Sequence, residues 1–289
     1  MLRTTGAGAR SVEVLGDADV AAVRDLLDAD PVGNVALAAR LERTNAIAPA
    51  RLRGTVLGVR DAPDRLAAAV FNGANLLPLG GSAADLRLLA DAIAKRRRVC
   101  NSIVGRSDAV RALWDVLAPL WGPARLIRDR QPLLVTESVP DVPAGEYPPA
   151  RAMTEADLNA YLPAAVAMFR EELDLPPLAP RIADEYRRRV AGLIRARRAY
   201  GVIDQHGDVV FKADIGSVSR RTCQLQGVWT RPDLRRRGLA TAALAAVFAR
   251  GLELAPSVSL YVNDFNEPAR RLYDRIGMRP VGAFTTVLF

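Results

Sequence analysis

Four prolines, Pro140, Pro143, Pro148 and Pro149, fall with Gly145 between Ser138 and Ala150, a stretch with neither helical nor strand periodicity. Proline fixes φ and lacks a backbone donor, so no helix or sheet ladder is expected to run through such a segment. It reads as a linker, residues 138–150, dividing the 289-residue chain into domains 1–137 and 151–289. Each is long enough to bury its own core. Both halves alternate apolar runs of strand length with amphipathic stretches of helix length. In the first half strands are expected at Val12–Leu15, within Leu52–Arg60, at Leu66–Asn72, Leu76–Leu79 and Val99–Val104, and near Ala124–Ile127 and Leu133–Thr136. Helices are expected at Asp17–Asp28, Asn34–Arg43, after the capping pair Ser82 and Asp85, and at Asp108–Ala118. The second half reads as helices Glu155–Leu173 and Arg181–Arg198, a hairpin Tyr200–Asp204/Val209–Ile215, strand Cys223–Thr230, helix Leu239–Leu254, strand Val258–Val262, helix Glu267–Ile276 and strand Phe284–Phe289. This alternation predicts an α/β (α+β layered) architecture.

Composition narrows the chemistry. Apolar residues make up 50% and charged residues 25%, with no run of 18 apolar residues, so a globular chain without membrane spans is expected. Cys100 and Cys223 lie far apart and His206, in the hairpin turn, is the sole histidine. That excludes the usual zinc patterns and any catalytic centre needing a second histidine, and no metal is expected. Residues Met1 to Arg10 lack the apolar core of a secretory signal, and both cysteines read as buried strand residues; a cytoplasmic location follows. The formal charge of +8 and a pI near 10.1 favour anionic partners, among them nucleic acid, a membrane surface or a phosphorylated cofactor. The seven arginines of Arg181–Arg198 read most simply as a solvated face, since no aromatic-interleaved or recognition-helix pattern accompanies them, so nucleic acid is not the expected partner.

The segment Val228-Trp229-Thr230-Arg231-Pro232-Asp233-Leu234-Arg235-Arg236-Arg237-Gly238-Leu239-Ala240-Thr241 runs from a strand through a basic loop into an alanine-rich helix. Amides of a helix's first turn have no intrahelical acceptor and carry the positive end of its dipole, so a pyrophosphate can be cradled there. With Gly238 as its one glycine, the loop fits neither a Walker A motif nor GxGxxG.

These residues resemble the GCN5-related N-acetyltransferase (GNAT) superfamily, whose acyl-coenzyme A loop reads [QR]-x-x-G-x-[GA]; here it is Arg235-x-x-Gly238-x-Ala240. A second stretch, from Asn263 through Asn266, Ala269, Leu272, Tyr273 and Gly277 to Met278, looks like the family's N-x-x-A-x-x-L-Y-x-x-x-G-F signature, with methionine replacing the aromatic. The resemblance implies two GNAT-like mixed-sheet domains in tandem, the first a degenerate copy, since its junction Leu79-Gly80-Gly81-Ser82 lacks the arginines. It implies acetyl-coenzyme A as acyl donor and an amine of a small molecule or protein as acceptor. Val228, Trp229 and Thr230 would hold the pantetheine arm, the Val228 amide facing the thioester oxygen. Arg235, Arg236, Arg237, Gly238, Leu239, Ala240 and Thr241 would bind the pyrophosphate, and Asn266 would touch the pantetheine. Tyr273 would be the acid for the departing thiolate, with a packed core aromatic as the alternative.

A base is harder to find. Strand Cys223–Thr230 carries Gln224 and Gln226 but no carboxylate, unlike members of the resembled family that place a glutamate there. On helix Glu155–Leu173 the stripe Leu158, Leu162, Ala165, Phe169 continues to Glu172 and leaves Glu171 on the opposite side, so Glu172 is the expected inward acid, with a helix-end residue of no role as the alternative. The terminal carboxylate of Phe289 is a further candidate. A non-catalytic acyl-coenzyme A-binding regulatory module is the competing functional reading, and the oligomeric state is left open.

Overall fold

The computed structural model describes residues 10–142, 147–173 and 180–289, apart from the side chains of residues 173, 180 and 181. Part of the expected linker, including Pro143 and Gly145, and the first nine residues lie outside that set. In chain order the elements are β1 (Val12–Val14), α1 (Val20–Ala29), α2 (Val35–Thr44), α3 (Pro49–Leu52), β2 (Thr55–Ala62), β3 (Arg65–Asn72), β4 (Asn75–Gly80), α4 (Ala83–Ala94), β5 (Ser102–Arg106), α5 (Ser107–Trp121) and β6 (Leu126–Thr136). They continue with β7 (Arg151–Ala152), α6 (Leu158–Leu173), α7 (Pro180–Arg195), β8 (Ala199–Ile203), β9 (Val209–Val218), β10 (Cys223–Thr230), α8 (Leu239–Leu254), β11 (Val258–Tyr261), α9 (Glu267–Arg275) and β12 (Arg279–Leu288).

Two compact units emerge: residues 1–132 with 282–289, and residues 133–281. Both are mixed α/β units. In the first, β1 to β4 pair antiparallel in sequence, β4 and β5 run parallel, and β12 pairs antiparallel with β5 from Phe284↔Arg106 to Leu288↔Ser102. The last strand, expected in the second domain, thus completes the first unit. Thr285 Oγ1 donates to the Asp129 carbonyl and Thr286 Oγ1 to Gln131 Oε1, both at 2.6 Å, and the Phe289 ring packs on Trp114 and Trp121 of α5. The C-terminal Phe289 thus belongs to the first unit. The two strands expected near Ala124–Ile127 and Leu133–Thr136 are one, β6; its polar, mostly exposed middle breaks the apolar pattern without breaking the backbone. Cys100 is buried as expected but lies just ahead of β5 rather than within it.

In the second unit the end of β6 pairs antiparallel with β11, β11 runs parallel to β10, and β9, β8 and β7 follow antiparallel. The β10/β11 pairing is short, holding only Cys223↔Val258 and Gln224↔Ser259 before the strands part. One core joins the sheet to α8 and α9 through Phe211, Leu225, Leu244, Phe248 and Tyr273. The other seats α6 and α7 through Tyr161, Ala165, Val190 and Ile194. Burying each large apolar side chain contributes about 1.5–3 kcal/mol, so these two layers fix where the end of β10 and the start of α8 must lie.

Candidate active site

The end of β10 is irregular. The register with β9 passes from Gln226↔Asp214 to Trp229↔Lys212, so three steps along β10 match two along β9 and β10 holds one extra residue. Gly227, at φ +59°, takes the left-handed conformation there; a Cβ on it would sit 2.8 Å from Lys212 Nζ and 3.0 Å from Met168 Cε. Val228 follows and packs on the same core as Leu239, Ala240 and Tyr273. Beyond Thr230 the chain turns through Pro232–Leu234 and enters α8 at Gly238.

Gly238 is the N-cap residue of α8, at φ +87°, and no side chain caps the helix there. Its Cβ direction is open space, so the backbone angle and not crowding is what calls for glycine. The first-turn amides of Leu239, Ala240 and Thr241 are the orphan donors expected of an uncapped helix start. Arg236, also left-handed at φ +63°, and Arg237 are exposed beside them. Arg235 is already engaged: Nη2 bonds Glu171 Oε2 at 2.7 Å and Nε donates to the Thr230 carbonyl at 3.0 Å. Arg231 ties the loop's base to Asp204 and Asp233, each at 2.9 Å.

Glu171, placed on the far side by the leucine stripe, is the acid that meets this loop, accepting also from Trp229 Nε1 at 3.1 Å. The buried face of α6 is centred on Tyr161, 0% exposed, with Ala164 and Ala165, and not on Leu158 and Leu162. Counting from Tyr161, Glu172, eleven residues on, returns to that face, whereas Glu171 lies about 80° to its side, and both are exposed at the helix end. The Arg235 guanidinium, chiefly by its hydrogen bond, holds the Glu171 carboxyl below the usual range. Glu172 is exposed at the same helix end, and its charge is felt by Tyr273. Tyr273 lies buried on α9 with no hydrogen bond to its hydroxyl among the described residues. Burial first, and the Glu172 charge second, push its phenol well above the ordinary value. Asn266 serves as N-cap of α9, its Oδ1 accepting from the Ala269 amide at 3.3 Å.

The matching junction of the first unit is closed. Ser82 caps α4, and Asp85 accepts from the Ser82 amide at 3.1 Å and the Ser82 hydroxyl at 2.7 Å while pairing with Arg10. Burial pushes the Asp85 carboxyl up, but Ser82 and Arg10 outweigh it and hold it ionised. A resident carboxylate therefore occupies the helix start that an external anion would need.

Sequence reasoning passed over Glu171 and three buried polar residues beside the bulge, Tyr161, Lys212 and Asp214. The available signal was Lys212 and Asp214 on one side of an otherwise apolar strand. Among the described residues no helix is long and apolar enough to cross a membrane, and no group of three or more His, Cys, Asp or Glu is placed to hold a metal ion.

Comparison with known proteins bears on family and fold. The acetyltransferase (GNAT) family matches residues 149–278, and a domain of unknown function, DUF4081, matches residues 54–161. No curated protein matches the sequence. Among solved structures, a GNAT-family acetyltransferase from Colwellia psychrerythraea is 10% identical with a TM-score of 0.60, covering 96% of this chain and 99% of its own. A GCN5-related N-acetyltransferase from Sphaerobacter thermophilus is 18% identical with a TM-score of 0.56, covering 96% and 94%. A tandem GNAT protein from the clavulanic acid biosynthesis pathway is 16% identical with a TM-score of 0.52, covering 96% and 98%. At these identities the likeness is one of fold, and it extends over almost the whole chain. Residues 149–278 thus match the acetyltransferase (GNAT) family, and the solved structures extend the likeness of fold beyond them.

Proposed function

We propose that the second unit is a cytoplasmic N-acyltransferase that moves an acetyl group from acetyl-coenzyme A to a primary amine of a small molecule or protein. The observation that carries this reading is the uncapped start of α8 at Gly238, in the loop that follows a bulged strand and beside the exposed Arg236 and Arg237. The residues fit the donor: amides of Leu239 to Thr241 with Arg236 and Arg237 suit its pyrophosphate, and the parting of β10 from β11 leaves Val228 to Thr230 beside room for an extended arm. Bound there, acetyl-coenzyme A supplies an activated acyl carbonyl.

The Val228 amide then donates to the carbonyl oxygen as negative charge develops on it during attack by the neutral amine. The Tyr273 phenol, kept protonated by burial, donates a hydrogen bond to the leaving sulfur. Glu171 is paired with Arg235 and serves to brace the loop, and Glu172, at the same helix end and close enough for its charge to act on Tyr273, takes a proton from the acceptor amine. One donor molecule binds per chain, because Asp85 fills the equivalent position of the first unit.

Calorimetry with acetyl-coenzyme A, followed by thiol release in the presence of amino acids, polyamines and lysine peptides, tests the proposal. One site per chain and amine-dependent release are expected. Binding without release for any amine would favour the regulatory-module reading, and no binding would remove both.

A further inference from the structure

Lys212 is completely buried on β9, in a run from Val209 to Ile215 that is otherwise apolar except for Asp214. Lys212 Nζ lies 2.8 Å from Asp214 Oδ2 and donates at 2.8 Å to the Gly227 carbonyl, the carbonyl of the bulge. Asp214 Oδ1 accepts from the Tyr161 hydroxyl at 2.7 Å, and the ammonium stands 5.4 Å from the Tyr161 ring centroid. A buried ion pair is seldom more stabilising than apolar residues of the same volume. Its presence in an apolar strand therefore calls for another reason, and its position supplies one. Lys212 and Asp214 are the β9 partners of Trp229 and Gln226, so they flank the extra residue of β10 on both sides.

The peptide joining Gly227 to Val228 is trans, as are all peptide bonds among the described residues. In a trans peptide the carbonyl of one residue and the amide of the next lie in one plane and point in opposite directions. Whatever holds the Gly227 carbonyl therefore aims the Val228 amide. We infer that Lys212, braced by Asp214 and Tyr161, is a positioning residue that fixes the direction of the Val228 amide as an oxyanion donor. This deepens the acetyltransferase reading above and rests on it for its catalytic consequence. Without the ammonium, the bulge peptide is free to turn, and a donor that must reorganise stabilises developing charge poorly.

The test uses the full chain labelled with 15N-valine, with three readouts: the Val228 amide resonance, kcat for acetyl transfer and Kd for acetyl-coenzyme A by calorimetry. Lys212→Met removes the clamp. Should it fail to fold, Tyr161→Phe and Asp214→Asn loosen the ammonium while leaving it in place. The expected result is a moved Val228 resonance and a kcat lower by about 100-fold in Lys212→Met, or about tenfold in the milder variants, with Kd within about threefold of wild type. A folded variant with either an unmoved Val228 amide or an unchanged kcat overturns the inference. If the wild-type chain neither binds nor turns over acetyl-coenzyme A, the acetyltransferase reading fails instead. The resonance then decides alone: a moved amide supports the orienting role and an unmoved one overturns it.

Discussion

At the scale of single residues, Tyr273 shows how burial sets a role. Its phenol is pushed well above the ordinary value, and a free thiol ionises near pH 8.5, so complete proton transfer to the departing sulfur is uphill. A hydrogen bond to the developing thiolate remains available, and bonds to charged groups contribute about 1.5–3 kcal/mol. Tyr273→Phe is accordingly expected to lower kcat by about 10- to 150-fold, to leave the affinity for acetyl-coenzyme A within a few-fold, and to keep the packing against Ala269 and Leu272. Single-turnover rates equal to wild type would return Tyr273 to a purely structural role. A second residue governs stability. Asp157 receives a two-pronged contact from Arg151, both bonds at 2.8 Å, and accepts from the Thr154 amide and hydroxyl ahead of α6. The Arg151 bonds, more than any other influence, hold its carboxyl well below the usual range. A depressed folded value means that the stabilisation is fully present above the unfolded value near pH 3.9 and disappears as pH falls through the folded one. Asp157→Asn should therefore lower the urea midpoint at pH 7 and flatten its decline below about pH 4. Equal acid slopes in the two proteins would count against this assignment.

At the scale of elements, the proposed binding chemistry rests on the loop and the helix it starts. Gly238 has open space around its Cβ direction, so a side chain there costs only the left-handed backbone, about 1–2 kcal/mol for most residues and less for asparagine. Gly238→Asp should fold and weaken acetyl-coenzyme A binding by at least about 100-fold, because a fixed carboxylate would face the pyrophosphate. Gly238→Asn, which keeps the size and removes the charge, should stay within about tenfold of wild type. Similar losses in the two variants by calorimetry would mean that shape and not charge dominates. The geometry of this junction was legible in sequence because a glycine before an alanine-rich helix and a row of arginines are local signals. Glu171 was not, because its partners Arg235 and Trp229 lie some distance along the chain, and the periodicity of α6 carries no mark of them. Lys212 and Asp214 were hidden for a related reason. Their meaning depends on an extra residue in β10, a register feature that strand periodicity in β9 cannot reveal.

At the scale of the whole molecule, the halves were legible as repeated element order, but the ownership of their last strands was not. Strand pairing across long sequence separations leaves no local mark: Val104 pairs with Thr286, while Val135 pairs with Ser259. The consequence is that neither half of the sequence contains its whole unit. A fragment of residues 1–137 lacks β12, and with it Val287 from its core, the Thr285 and Thr286 hydrogen bonds, and the Phe289 ring between Trp114 and Trp121. A fragment of residues 138–289 lacks Leu133–Thr136, the antiparallel neighbour of β11, leaving an apolar edge strand without its partner. Both fragments are thus expected to be unstable alone, with exposed apolar surface and little cooperative unfolding, whereas co-expression should recover a soluble pair with native-like thermal unfolding. A cleaner version adds residues 282–289 through a flexible linker to the end of the first fragment. That strand should restore cooperative unfolding to the 1–137 fragment, and a scrambled sequence of equal composition should not. If the unmodified 1–137 fragment unfolds cooperatively with the same midpoint as the version carrying residues 282–289, the last strand contributes nothing to the first unit's stability and the exchange is only geometric.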